Sequence, residues 1–223
     1  MSEKEREARH AKLEALRAEG VDPYPARVGP RTAALYVSTP SNPTGRVLPA
    51  EWLERLAALA RRRGLWILSD EVYEELVYRG EHVSIGRFAP ERTLTAFSFS
   101  KAYALAGCRV GWLEGPPAAI AAAAKLATHS VYHAPTPAQW AALRALEGAG
   151  AWLAEVREDY RRGGAAAAAA LGLPPPEGSC FLFLDVRPAL GPGGMERFLE
   201  GCLEEEGLVL APGAASGEGY EGF

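Results

Sequence analysis

Four polar clusters of the sequence contain the side chains that could carry out chemistry. In chain order they supply Asn42, Asp70 with Tyr73, Ser98 with Lys101, and Arg109. Taken one at a time, each cluster fits an ordinary turn or helix cap. Taken together, they combine an amine, a carboxylate, phenol and amide groups, hydroxyls and a guanidinium. The composition draws attention to two of them, because the chain has only four Lys residues and a single Asn.

These chemical types match the needs of one cofactor, pyridoxal phosphate. Its aldehyde needs a lysine amine that can form a Schiff base, and its ring nitrogen needs a carboxylate that keeps a proton there. Its ring oxygen needs hydrogen-bond donors, and its phosphate needs hydroxyls and a guanidinium. We expect these needs to be met, in that order, by Lys101, by Asp70, by Tyr73 with Asn42, and by Ser98 with Arg109.

The elements around these residues predict a parallel sheet. Residues 33–37 and 65–68 are apolar runs of strand length, and an amphipathic helix at 49–63 joins them. Strand, helix and strand at this spacing form a βαβ unit, whose sheet is normally covered on both faces. Further strands are predicted at 93–97 and 109–113. Ligands of such sheets bind beyond the carboxyl ends of the strands, which is where the polar clusters fall.

The rest of the chain predicts helices and a second, smaller unit. Helices are expected at 117–128, 136–146 and 152–171, and a Pro-rich boundary follows at 174–178. A strand at 181–186, a helix at 195–206 and a strand at 208–210 suit a small α+β domain. We therefore predict an α/β fold with a mostly parallel sheet, flanking helices and a small C-terminal domain. The predicted domains are a helical leader at 1–32, with its helix at 3–19, a cofactor-binding portion at 33–150, and a linker helix with an incomplete small domain at 151–223.

Composition excludes several classes of function. The 223 residues carry a net charge of -4, which argues against binding to nucleic acid or to an anionic membrane surface. No apolar run approaches the roughly 20 residues that span a bilayer. Three widely spaced cysteines favour a reducing cytoplasm over a disulfide framework, and the spacing of the four histidines indicates no metal site.

Three motifs, met in order, resemble the class I and II aminotransferases, which are pyridoxal-phosphate enzymes of fold type I. The resemblance covers residues 33–223. It implies that Lys101 forms the Schiff base and moves protons, and that Asp70 pairs with the ring nitrogen. It also implies that Tyr73 and Asn42 contact the ring oxygen, and that Ser98 and Arg109 hold the phosphate. The motifs are Ser41-Asn42-Pro43-Thr44-Gly45, then Ser69-Asp70-Glu71-Val72-Tyr73, and then Ser98-Phe99-Ser100-Lys101-Ala102 with Gly107-Cys108-Arg109-Val110-Gly111-Trp112.

The implied activity is transfer of an amino group between an L-amino acid and a 2-oxo acid, in a homodimer. Two alternatives stay open: a C–S β-lyase on the same scaffold, and a catalytically incompetent fragment. The second arises because the family's glycine-rich phosphate turn and ring-stacking aromatic have no counterpart within residues 1–32. The family's substrate-carboxylate arginine also belongs just beyond Phe223. The resemblance therefore implies a chain truncated at both ends.

Overall fold

The computed structural model describes residues 33–217 and 219–223, and four strands of this part form one sheet. The strands lie side by side in chain order, parallel from the first to the third and antiparallel between the third and fourth. This confirms the predicted mostly parallel sheet. The leader predicted at 1–32, including its helix, lies outside the described residues. The strands are β1 (Ala34–Ser38), β2 (Trp66–Asp70), β3 (Thr93–Ser98) and β4 (Gly111–Glu114).

Helix α1 (Ala50–Arg63) connects β1 to β2 and covers one face of the sheet. Val37 and Ile67 project from the two strands into a cluster with Leu53 of the helix, and all three are buried. Full burial of one such side chain stabilises a fold by about 1.5 to 3 kcal/mol. The helix ends where predicted, because Gly64 adopts the left-handed conformation and its amide bonds back to the last turn.

The opposite face of the sheet is largely open in the described part of the chain. Tyr36, Trp66 and Leu68 lie on it and are 68%, 42% and 42% exposed. Residues paired in register project to the same side, so Asp70, the partner of Ser38, lies on this face too. The described residues thus cover one face only, whereas a βαβ unit was expected to have cover on both.

Four further helices lie in the second half of the described chain, and their predicted positions are confirmed to within a few residues. Side chains of the third and fourth helices, among them Ala142 and Leu153, join a second apolar cluster with Tyr73 and Phe99. This cluster fixes the turns that follow β2 and β3. The helices are α2 (Pro117–Ser130), α3 (Thr136–Gly148), α4 (Gly150–Ala170) and α5 (Gly194–Glu206).

The C-terminal segment differs from the α+β domain predicted for it. Residues 181–186 and 208–210 form no strand, and α5 is the one predicted element of the three that the structure contains. Aromatic packing holds this segment instead, with the rings of Phe183 and Phe223 stacked 5.0 Å apart. The amide of Val186 also bonds to the carbonyl of Gly222 at 3.0 Å. An apolar run becomes a strand only where a neighbour completes its hydrogen bonds.

One glycine allows β4 to begin against β3. A Cβ atom at Gly111 would lie 2.4 Å from the carbonyl oxygen of Phe97, so any other residue would push the strands apart. Gly111 is the register partner of Ser98, the last residue of β3. The short connection before Gly111 is therefore held close to the end of β3.

Neither a membrane-crossing helix nor a metal-binding cluster is present among the described residues. No helix among them has the length and apolar character that crossing a membrane requires. In the same residues, no group of three or more His, Cys, Asp and Glu side chains is placed to hold a metal ion. The three cysteines are free thiols, and Cys180 is the exposed one.

Candidate cofactor site

The ends of three strands bring the predicted residues to one edge of the sheet. Asp70 ends β2 and pairs with Ala96, which lies two residues before Ser98 at the end of β3. Residues two apart in a strand share a face, so Asp70 and Ser98 lie on the same, open side. Because β4 runs antiparallel, its first residue begins at this edge, and Arg109 lies two residues before it.

Asp70 has one oxygen engaged by a phenol. The hydroxyl of Tyr36 donates to Oδ2 at 2.7 Å, whereas Oδ1 receives only a long contact of 3.4 Å from the amide of Val72. Burial of the phenol, its hydrogen bond to Asp70 and the carboxylate's charge raise the pKa of Tyr36 to about 12. Tyr36 was not predicted, because only the strand register places it beside Asp70.

Tyr73 lies beside the amine of Lys101 and within range of the charge of Asp70. It is 2% exposed, and the Nζ atom of Lys101 lies 5.5 Å from the centre of its ring. Burial is the main cause that raises the pKa of Tyr73, and the nearby Cys180 and Asp70 raise it further. The phenol therefore stays protonated at neutral pH and is available as a donor. Lys101 itself is exposed in its turn after β3.

Cys180 joins this group from the C-terminal half of the chain. Partial burial raises the pKa of its thiol, while the positive charge of Lys101 and the neighbouring Tyr73 oppose that change. The backbone at Ser179 is left-handed, with φ 61°, and turns the chain towards Tyr73. Cys180 was not predicted, because no local pattern indicates which strand end a distant segment will reach.

Hydroxyls and a guanidinium form the third part of the site. The Nη1 atom of Arg109 lies 3.5 Å from the Oγ of Ser100 and donates to the carbonyl of Ala106 at 3.0 Å. The Oγ of Ser98 accepts from the amide of Ser100 at 3.0 Å. Arg109 has a left-handed backbone, with φ 51°, and forms no ion pair with the described carboxylates. Ser100 is a further phosphate-binding candidate that was not predicted.

Asn42 follows β1 at the same edge of the sheet. It is exposed in the turn after β1, and its side chain has no hydrogen bond to another described residue. With Cys180 it lines a cavity of about 430 Å³ whose other walls are mostly apolar residues of the C-terminal segment. Its predicted contact with a ring oxygen stays a prediction.

A buried network lies behind the acid, on the covered side of the sheet. The carboxylate of Glu71 is wholly buried, and its Oε1 accepts hydrogen bonds from Ser69 at 2.7 Å and from Ser84 at 2.9 Å. Its Oε2 lies 2.8 Å from Nε2 of His82. These contacts anchor the chain directly after Asp70, so that the neighbouring carboxylates point to opposite sides. Apart from Glu71, which is part of one of the motifs, no pattern in the sequence predicts this network.

The arrangement fits pyridoxal phosphate by the chemistry of its donors. A carboxylate with a lightly engaged oxygen, a lysine amine beside a protonated phenol, and a guanidinium close to the hydroxyl of Ser100 lie at one edge of the sheet. Asp70 and Lys101 both lie close enough to Tyr73 for their charges or contacts to act on it. An acid, an amine and an anion-binding group are what the cofactor's ring, aldehyde and phosphate need.

Comparison with known proteins gives concordant matches. The family model described as aminotransferase class I and II matches residues 3–222, which includes most of the predicted leader. The aspartate/prephenate aminotransferase of Thermus thermophilus is 42% identical over 213 residues, covering 90% of this chain and 54% of that protein. The arginine–pyruvate transaminase AruH of Pseudomonas aeruginosa is 38% identical over 207 residues, covering 88% of this chain and 52% of that protein.

Solved structures give the same result. A double mutant of the Thermus thermophilus aspartate aminotransferase superposes with a TM-score of 0.76 at 42% identity, over 84% of this chain and 50% of that one. The N-succinyldiaminopimelate aminotransferase of Mycobacterium tuberculosis superposes with a TM-score of 0.76 at 33% identity. In that case the match covers 84% of this chain and 51% of the other.

The sheet and the residues at its edge thus define a fold-type-I protein of the pyridoxal-phosphate class. The match over nearly the whole length assigns it further: the chain belongs to the class I and II aminotransferase family. The enzymes of this family use pyridoxal phosphate, as the resemblance implied. The chain spans about half the length of the curated relatives it matches.

Proposed function

We propose that this chain binds pyridoxal phosphate and transfers an amino group between an L-amino acid and a 2-oxo acid. The observation that carries the proposal is the meeting of Asp70, Lys101 and Arg109 at one sheet edge around Tyr73 and Ser100. Bound there, the cofactor would withdraw electrons from the substrate's Cα carbon.

Each residue would have a separate task. Lys101 would bond to the cofactor and, once displaced by the substrate, carry a proton to and from Cα. Asp70 would keep a proton on the ring nitrogen, since an ionised carboxylate favours the charged form of a neighbouring base. Tyr73 and Asn42 would donate to the ring oxygen. Ser98, with Arg109, would bind the phosphate through charge-assisted hydrogen bonds.

Chemical trapping tests the attachment residue. The purified chain is mixed with pyridoxal phosphate, reduced with borohydride and analysed by peptide mass. We expect the adduct on Lys101, retained in Lys125→Ala and lost in Lys101→Ala. Lys125 is a suitable control because it is exposed on helix α2. Equal labelling of Lys101 and the other lysines would contradict the proposed site.

Turnover distinguishes the proposed activity from its alternatives. The relatives named above suggest aspartate and arginine as amino donors, with a 2-oxo acid as acceptor. Formation of the new amino acid, lost in Lys101→Ala, is the expected result. Release of a thiol and a 2-oxo acid from a cysteine conjugate would instead indicate the C–S β-lyase. A Lys101 adduct without either reaction would identify the chain as a cofactor-binding fragment.

We also propose that the chain acts in the cytoplasm as a homodimer, as the family resemblance implies. Light scattering on the purified protein should then give twice the mass of one chain. A monomer that forms the Lys101 adduct would separate cofactor binding from assembly and would contradict the dimer alone.

A further inference from the structure

Tyr36 makes a specific contact with the acid of the candidate site. Its hydroxyl donates to Oδ2 of Asp70 at 2.7 Å, a charge-assisted hydrogen bond of good length. The register explains the contact: Ser38 pairs with Asp70, and Tyr36 lies two residues earlier on the same face. The bond therefore joins two neighbouring strands, and the backbone of the sheet sets its geometry.

Packing does not account for an aromatic residue at this position. Tyr36 is 68% exposed, so its ring buries little surface, while the adjacent Val37 supplies the core contact of the strand. The hydroxyl is the part of the side chain with a partner. Partial burial of the phenol is the largest cause that raises its pKa to about 12, the hydrogen bond and charge of Asp70 raise it further, and Ser38 lowers it.

The contact leaves Asp70 with its two oxygens in different states. Oδ2 is occupied by the phenol, whereas Oδ1 has only the 3.4 Å contact with the amide of Val72. A carboxylate held through one oxygen has a fixed orientation and keeps the other oxygen for a cationic donor. This orientation prepares the carboxylate for a protonated ring nitrogen.

We propose that Tyr36 is a positioning residue, which orients Asp70 through the hydrogen bond to Oδ2 and so strengthens binding of the pyridoxal-phosphate ring. This inference rests on the function proposed above. It adds a residue that acts on the cofactor through another side chain rather than by touching it.

Cofactor affinity provides the first test. Dissociation constants for pyridoxal phosphate are measured by absorbance for the unaltered chain, for Tyr36→Phe and for the control Tyr132→Phe. Tyr132 is 76% exposed and lies far from the site in sequence. We expect about 10-fold weaker binding for Tyr36→Phe, within the range of a hydrogen bond to a charged group, and no change for the control.

A double-mutant comparison shows whether the effect passes through Asp70. In an Asp70→Asn background, Tyr36→Phe should change the affinity by less than about 2-fold, because the carboxylate it orients is gone. An equal loss in both backgrounds would contradict the proposal, because the phenol would then act without Asp70.

A second readout needs no cofactor. Nuclear magnetic resonance of the chain with ¹³C-labelled tyrosine rings, assigned with Tyr36→Phe, follows the ionisation of Tyr36. We expect this phenol to ionise at a lower pH in Asp70→Asn than in the unaltered chain, because the hydrogen bond and the charge of Asp70 add to the effect of partial burial on its pKa. Ionisation of Tyr36 at the same pH in both would overturn the contact. The expected difference in Tyr36 ionisation, found in a chain that binds no pyridoxal phosphate, would support the hydrogen bond. It would contradict the proposed function and with it the proposed role of Tyr36.

Discussion

The two faces of the sheet have different tasks. On the covered face, Val37 and Ile67 are buried under helix α1 with Leu53. On the other face, Tyr36 and Leu68 are exposed beside the carboxylate of Asp70. Side chains alternate between these faces along β1 and β2, so stability and chemistry come from adjacent residues. Substitutions on one face should therefore change stability, and substitutions on the other should change binding.

The largest effect should come from the covered face. Ile67→Ala removes a fully buried side chain, and we expect the free energy of unfolding to fall by about 2 to 5 kcal/mol. Leu68→Ala is the matched control one residue away, with an expected loss of about 1 kcal/mol or less. Urea denaturation measures both. Equal losses would mean that the open face is covered in solution and that the contrast between faces does not hold.

An effect of intermediate size should come from the ionisation of Glu74, which lies close to the buried network of Glu71 and lowers the free energy of unfolding as the pH rises. Burial, with the charges of Glu75 and Glu71, raises the pKa of Glu74 from 4.5 to about 7. The unfolded chain therefore ionises this carboxyl first, and stability falls as the pH rises from 4.5 to 7. Glu74→Gln should remove that fall, a gain of about 1 to 3 kcal/mol at pH 8 and little at pH 4.5.

Urea denaturation across this pH range measures the effect of Glu74. Glu81→Gln is a suitable control, because Glu81 is exposed and its loss should leave the slope unchanged. A Glu74→Gln chain with the same pH dependence as the unaltered chain would show that Glu74 is solvated, and that the region after β2 is more open than its contacts indicate.

The smallest effect should come from the open face and should appear in binding alone. Ser100→Ala removes one hydroxyl near Arg109, and we expect pyridoxal phosphate to bind about 3- to 10-fold more weakly. The free energy of unfolding should stay within about 0.5 kcal/mol. Ser130→Ala, at the end of helix α2, is the control for a serine outside the site. A loss of stability without a loss of affinity would show that Ser100 supports the fold and does not bind the cofactor.

Most of the scaffold could be predicted from local sequence. Strands β1 to β3 and the five helices follow from apolar periodicity bounded by Pro and Gly, and Gly64 ends helix α1 where expected. The strands predicted at 181–186 and 208–210 are wrong, because a strand depends on a hydrogen-bonded neighbour that a local run does not specify. The short pattern there is equally compatible with the aromatic packing of Phe183 on Phe223.

The candidate site was predicted in part. The residues that sequence analysis missed are those that only tertiary contacts bring to the site. Asp70, Ser98 and Arg109 reach one edge because residues after parallel strands share that edge. Tyr36 and Cys180 depend on side-chain contacts, one set by strand register and the other by a distant segment. No sequence spacing predicts either contact. The roles of the six predicted residues toward the cofactor stay predictions.

The left-handed backbone at Arg109 has a consequence for evolution. A residue with a Cβ atom is strained at φ 51°, by roughly 1 kcal/mol, and Gly or Asn would relieve that strain. The arginine is exposed, so it gains no packing energy in return. A library selected for heat resistance alone should therefore drift away from arginine here. Lineages that retain it would show that anion recognition, rather than folding, is what selection maintains at this position.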